Sequence, residues 1–129
     1  MPTAVARLRA LCASLPEAVE EEAWVGTRWR VRGRTFAHVL LVDAGWPPAY
    51  ARVIGTDGPC LVAAVRSSGA ELDALRATGP PFFAPPWRSD EVLVAVDGIE
   101  PRELAELVTE SYCAVAPARL AARVQRPEP

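Results

Sequence analysis

Histidine is almost missing from these 129 residues, and His38 stands alone. Any imidazole-based acid–base or nucleophilic mechanism would have to use that one ring. No serine or cysteine sits in a nucleophile-elbow pattern, and no glycine-rich phosphate loop lies between a strand and a helix. The chain is therefore expected not to be an enzyme. Cysteine is scarce as well. Cys12, Cys60 and Cys113 are odd in number and far apart, with no C-x-x-C pair and no Cys/His spacing that suggests zinc. No metal site and no cofactor are expected. Free thiols buried as small hydrophobes fit a reducing compartment. No apolar run approaches the length that spans a bilayer, and the arginine-bearing start lacks the apolar core of a signal peptide. The expectation is a cytoplasmic protein with no membrane partner. A strong charge of either sign is also lacking. A formal net charge of −2 and a pI near 5.4 exclude a surface that is a polyanion-binding field throughout. Any nucleic-acid contact must come from a local patch.

What is present is ordinary globular material: 50% hydrophobic and 23% charged residues in a length that suits a single domain, 1–129. Its organising stretch runs from Trp24 to Asp43. Trp29 and Val31 alternate with Arg28, Arg30 and Arg32, the two-residue period of a strand with one wet face. Gly33 supplies a turn, and Thr35 to Val42 is rich in β-branched and aromatic residues, as a returning strand should be. With Arg32-Gly33 as the tight loop, Trp29 is expected opposite Phe36, both rings on one face.

Before the hairpin, Thr3 to Ser14 reads as a helix. Thr3 is its N-cap, Val5, Leu8, Leu11, Cys12 and Leu15 form its apolar stripe, and Pro16 ends it. Glu17 to Glu22 reads as an acidic connection. After the hairpin, the prolines and glycines of Asp43 to Pro59 predict a long irregular connection, with Ala51 to Ile54 as an optional short strand. Cys60 to Arg66 is a near-continuous apolar run, expected as a central strand buried on both faces. Ser68 to Thr78 reads as a helix with a Ser68/Glu71 capping box, inward Leu72 and Leu75, and Gly79 as terminator. Gly79 to Asp90 is proline–aromatic, expected to hold shape without regular hydrogen bonds. Glu91 to Val96 is the next strand. A helix follows with Pro101 at its first position, Ile99 stapled to Leu104, and Leu104, Leu107, Val108, Tyr112 and Val115 on its buried face. Ala118 to Val124 is a last short helix before a frayed Arg-Pro-Glu-Pro tail. The order predicts an α+β fold, a two-layer sandwich with an antiparallel sheet and helices on one face.

Two constellations could carry function. Arg28, Arg30 and Arg32 project from one strand face about 7 Å apart, with Arg34 close behind. That spacing suits a phosphate backbone; the competing reading is a solvated face that discourages edge pairing, with Glu20 to Glu22 as neutralising charge. The second constellation is Trp46, Tyr50, Phe82, Phe83 and Trp87 in the two proline-rich segments. If those segments meet, the rings line a groove for a small apolar ligand or unstacked bases; otherwise they pin down loops. Single histidines on strand faces are more often packing residues than catalysts, and His38 is read so, sharing a face with Phe36, Leu40 and Val42. Three consecutive carboxylates on an extended chain point alternately up and down, so Glu20 to Glu22 do not converge on a metal.

One family matches this order of motifs. The helix end LCASLP (Leu11 to Pro16) is followed by an acidic link and then W-x-V-x-G-R-x-F-A (Trp29 to Ala37). FFAPPW (Phe82 to Trp87), VLVAVDGI and ELAELVTESYCAVAP (Glu103 to Pro117) complete it. Together they resemble the MmcQ/YjbR family of small bacterial proteins across nearly the whole chain. Pro85-Pro86-Trp87 stands where many relatives place P-x-Tyr, and Asp43 to Pro59 matches least. The resemblance implies a curved antiparallel sheet and a DNA-binding role, and it brings no catalytic residues. The reading is a non-enzymatic DNA-binding protein in which Arg28, Arg30, Arg32 and Arg34 contact phosphates. The rival is a small-ligand or protein-interaction module built on the aromatic segments.

Overall fold

The computed structural model describes residues 3–124. Helix α1, Ala4–Ala13, opens the chain, and the Thr3 hydroxyl caps it by accepting from Ala6 N at 3.0 Å. The acidic stretch is a strand, not a connection. β1, Val19–Glu22, pairs antiparallel with β2, Thr27–Val31. Carboxylates hid it, since strands seldom hold three in a row, but Arg28 and Arg30 across the ladder hold Glu21 and Arg9 of α1 holds Glu20.

β2 returns through Arg32 and Gly33, both at positive φ, into β3, Arg34–Val42. Two successive left-handed residues make the type I′ geometry whose twist matches the flanking strands. The expected register is displaced, because Trp29 pairs with Ala37 and not with Phe36. A bulge leaves Phe36 as the extra residue, so Phe36 and Ala37 both face the helical side, with Trp29 and Val31. Beyond the bulge the alternation is reset. His38 therefore shares its face with Leu40 and Val42 but not with Phe36.

The segment after β3 forms a helix and not an irregular loop or strand. α2, Pro48–Ile54, starts on a proline, whose fixed φ suits a first turn, and ends at left-handed Gly55. β4, Cys60–Arg66, lies mid-sheet with Ala63 and Val65 in one core cluster and Val62 and Ala64 in the other, buried on both faces as its composition predicts. α3, Gly69–Thr78, has Ser68 at its N-cap, but the Ser68 hydroxyl makes no capping bond, so the expected capping box is absent. The proline–aromatic segment contains a two-residue strand, β5, Phe82–Phe83, on β6, Glu91–Ala95. A 3-10 turn, Val96–Gly98, leads into α4, Pro101–Val115, and α5, Ala118–Ala121, follows. The Arg-Pro-Glu-Pro tail lies outside the described residues.

The result is an α+β fold with an antiparallel sheet in the order β1-β2-β3-β4-β6-β5. Its larger core lies between the sheet and α1 and α4, and α2 covers part of the opposite face over Leu40, Val42, Val62 and Leu93. Two side chains of α4 fix it to the sheet. The Ser111 hydroxyl accepts from Arg66 N at 2.7 Å and donates to the Phe36 carbonyl at 2.5 Å. Tyr112 meets Phe36 edge to face, centroids 5.2 Å apart, and its hydroxyl donates to the Pro16 carbonyl at 2.6 Å.

Ser111→Ala leaves two backbone groups without partners in a dry site. It should lower unfolding free energy by about 1–3 kcal/mol, measured by urea titration. Burial pushes the Cys12 thiol up to about 12, with Glu20 adding to the rise. Cys12 should resist thiol reagents in the native state and react only on unfolding. Unfolded Cys12 ionises near its ordinary value of 9.0 while the native thiol stays protonated. Stability is therefore lost as pH rises from that value toward 12, and Cys12→Ala should flatten this part of a stability-versus-pH curve.

Candidate functional site: the aromatic face of the sheet

Strand alternation sends Trp29 and Val31 toward the helices and Arg28 and Arg30 to the opposite face, where Arg28 pairs across to His38. Glu21 arrives on that face from β1. Arg28 Nε donates to Glu21 Oε1 at 2.7 Å, and Arg30 Nη1 donates to the same oxygen at 3.1 Å. Arg30 also donates through Nη2 to the Gly33 carbonyl. Hydrogen bonding from Arg30, then from Arg28, holds the Glu21 carboxyl below the usual carboxylate range despite opposing desolvation. Arg32, in the turn, grips Glu17 through Nε at 2.6 Å and Nη2 at 3.1 Å. Arg34 turns to the helical side, where Nη1 donates to the Val115 carbonyl at 3.3 Å.

The four guanidinium groups expected in a row are thus divided. Two share one carboxylate, one is neutralised in the turn, and one caps the end of α4. The turn separates Arg34 from the others by pairing it with Val31, on the helical side. Glu20 takes the remaining direction, accepting from Arg9 Nε at 2.9 Å and Trp29 Nε1 at 3.0 Å beneath α1.

The aromatic residues do meet. Tyr50 of α2 and Trp87 of the proline–aromatic segment have ring centroids 4.9 Å apart, tilted by 58°. Trp87 Nε1 donates to Glu91 Oε1 at 3.0 Å, fixing the indole over the end of β6. Phe83 packs partly buried against the core beneath α2. Phe82 does not join them, because it is buried in the helical-side core. Trp46 finds a partner that sequence reading passed over: Trp24, with centroids 5.4 Å apart and a tilt of 55°. The residue pattern places Trp24 at the head of the hairpin stretch. Instead it sits at the tip of the β1–β2 loop, closed by Ala23 N to the Gly26 carbonyl at 3.0 Å.

That loop lies tightly on β3. A Cβ on Gly26, which has φ +78°, would fall 2.0 Å from the Val39 carbonyl oxygen, so no other residue fits without displacement. His38 Nε2 lies 2.5 Å from the Val25 carbonyl. A carbonyl only accepts, so Nε2 carries the proton and donates. The His38 ring also meets Tyr50 edge to face at 6.5 Å. His38 therefore connects the two aromatic pairs, holding the Trp24 loop with one atom and touching Tyr50 with its ring. Burial pushes the Tyr50 phenol up, with Glu91 adding to it. Among the described residues no group of three or more His, Cys, Asp or Glu could hold a metal ion. No helix there is long and apolar enough to cross a membrane.

A family model described as YjbR matches residues 13–114. The chain belongs to the YjbR family. No curated protein matches it. Among solved structures it is similar to the crystal structure of Deinococcus radiodurans protein DR2400, whose family domain is DUF419. The identity is 23% and the TM-score 0.63, with 89% of this chain and 82% of that chain covered. That likeness establishes the fold alone. The match runs from the last residue of α1, Ala13, to Ala114 near the end of α4, so the hairpin, the bulge and the Ser111 bridge all lie inside it.

Two substitutions probe this face. His38→Ala should release the loop at Val25 and cost about 1 kcal/mol, seen as a lowered urea midpoint and a changed near-ultraviolet signal from the Trp24–Trp46 pair. Glu21→Gln strips the carboxylate shared by Arg28 and Arg30. Retention on heparin at low salt should rise more than for Glu22→Gln, an equal change in net charge away from that pair.

Proposed function

We propose that this protein is a binding module rather than an enzyme, and that its contact surface is the aromatic face around His38. The observation that carries this reading is the Trp24–Trp46 pair. Trp24 is 84% exposed and Trp46 50% exposed, yet both stand in turns closed by backbone hydrogen bonds. Single exposed apolar residues are ordinary, but a group of large rings on fixed backbone is not. Tryptophan and tyrosine dominate contact energies, and rings held in place lose little freedom on association. Trp87, 43% exposed against Tyr50, extends the same surface. A protein segment or a small apolar ligand is the class of partner such rings favour, with Trp24, Trp46, Tyr50 and Trp87 as its contacts.

A second reading, DNA binding, draws support from Arg28 and Arg30 alone. They stand on this same face and share one carboxylate, which leaves one positive charge beside stacking rings. Arg32 and Arg34 are engaged elsewhere and contribute little to it.

Indole N–H resonances of the isotopically labelled protein separate the two readings. Trp29 and Trp87 already donate to carboxylates, so Trp24 and Trp46 are the free reporters. A screen of apolar fragments and of short peptides should yield binders that shift Trp24, Trp46 and Trp87 and leave Trp29 in place. Trp24→Ala should abolish those shifts, and their absence from the whole screen would overturn the first reading. Duplex and single-stranded DNA titrated against the same spectrum test the second. It requires shifts that weaken steeply with salt and that fail when Arg28 and Arg30 are both replaced by glutamine.

A further inference from the structure

On the other side of the sheet, the helical layer leaves a cavity of about 270 Å³ between α1 and the start of α4. Leu8, Leu11, Val96, Ile99 and Leu104 give it an apolar lining. Its only charged lining residues are Arg7 and Asp97. Neither side chain makes a hydrogen bond or ion pair among the described residues, and no ion pair joins them to each other. This sets them apart from the arginines of the hairpin, each of which is held. Ala4 and Pro101, the first residues of α1 and α4, line the same space.

The volume falls just below the usual range for pockets that hold drug-sized molecules, so the occupant is small. The apolar lining asks for a hydrocarbon side chain. The Arg7 guanidinium asks for an anion, and the Asp97 carboxylate asks for a cation. We infer that the cavity binds a free apolar α-amino acid, its carboxylate toward Arg7, its ammonium toward Asp97 and its side chain against Leu8, Leu11 and Leu104. Both charges of one small zwitterion are then matched, and the apolar floor is covered.

The test uses the whole chain with L-leucine and L-phenylalanine, up to millimolar concentration, followed by backbone amide shifts. Two truncated analogues accompany them: 4-methylpentanoate, which lacks the ammonium, and 3-methylbutylamine, which lacks the carboxylate. The inference expects saturable shifts confined to α1, the 3-10 turn and the start of α4. The carboxylate analogue should bind more weakly than leucine, and the amine weakest. Arg7→Gln should weaken leucine about tenfold, as loss of a charged hydrogen bond does. Asp97→Asn should remove the advantage of leucine over 4-methylpentanoate. Ala105→Leu, which fills the cavity from α4, should abolish binding while circular dichroism and the melting transition report an intact fold. No saturable shift with either amino acid would overturn the inference. So would shifts elsewhere, binding that survives Arg7→Gln unchanged, or an analogue that binds as well as leucine.

Discussion

Between β3 and β4 the hydrogen-bonded ladder stops at Ala37 and Val65, and one hydroxyl continues it. The next rung would join the Phe36 carbonyl to Arg66 N–H. Ser111 Oγ stands between those two atoms instead, accepting from one and donating to the other. The strands are held a side chain's width apart at the point where β3 bulges, and the helix that holds them is α4. Much else follows from this insertion. The bulge sends both Phe36 and Ala37 toward the helices, so Phe36 meets Tyr112 and Tyr112 reaches Pro16 at the end of α1. The same bulge moves His38 to the far face, where it secures the Trp24 loop. Without that reset, the lone histidine and the lone buried serine of α4 would have no shared cause.

Large parts of the fold were legible from residue patterns. The opening helix with its Thr3 cap, the Arg32-Gly33 turn, the central strand at Cys60 to Arg66 and the amphipathic helix from Pro101 each carry a local signal that the packing does not overrule. The missed elements had their signals masked. Three glutamates obscured β1, whose Glu21 is held by Arg28 and Arg30 across the ladder and whose Glu20 is held by Arg9 of α1, partners invisible to a window reading one strand at a time. Proline pairs obscured α2, because Pro47-Pro48 announces a break and also starts a helix. The bulge left no mark at all. No residue type at Phe36 requires it; its partner in the arrangement, Ser111, lies 75 positions away.

The candidate site shows the same division. That the two proline-rich segments meet through Tyr50 and Trp87 depended on α2, and Trp24 was hidden because it opens the stretch whose pattern reads as a hairpin. The arginine row was misleading for a different reason. Period-two spacing describes side-chain direction only within one strand, and here the Arg32-Gly33 turn intervenes within the row. Local compensation then settles the charge. Glu17, Glu20 and Glu21 each take at least one guanidinium, so a segment dense in both signs is close to neutral. Arginine suits this, since its planar fork can hold a carboxylate through two donors, as Arg32 holds Glu17.

The two outermost strands have a bearing on how the molecule behaves in a crowd. A sheet that does not close into a barrel ends in rows of unused amide and carbonyl groups, a template for foreign strands. At one border stands β1, four residues long and three of them acidic. At the other stands β5, only two residues long and set among prolines that have no N–H to offer. Neither border gives an incoming chain more than a few rungs, and one repels it by charge. A chain that is half apolar can thus carry an open sheet and still resist fibril-like stacking, leaving its exposed rings to make contacts side chain by side chain.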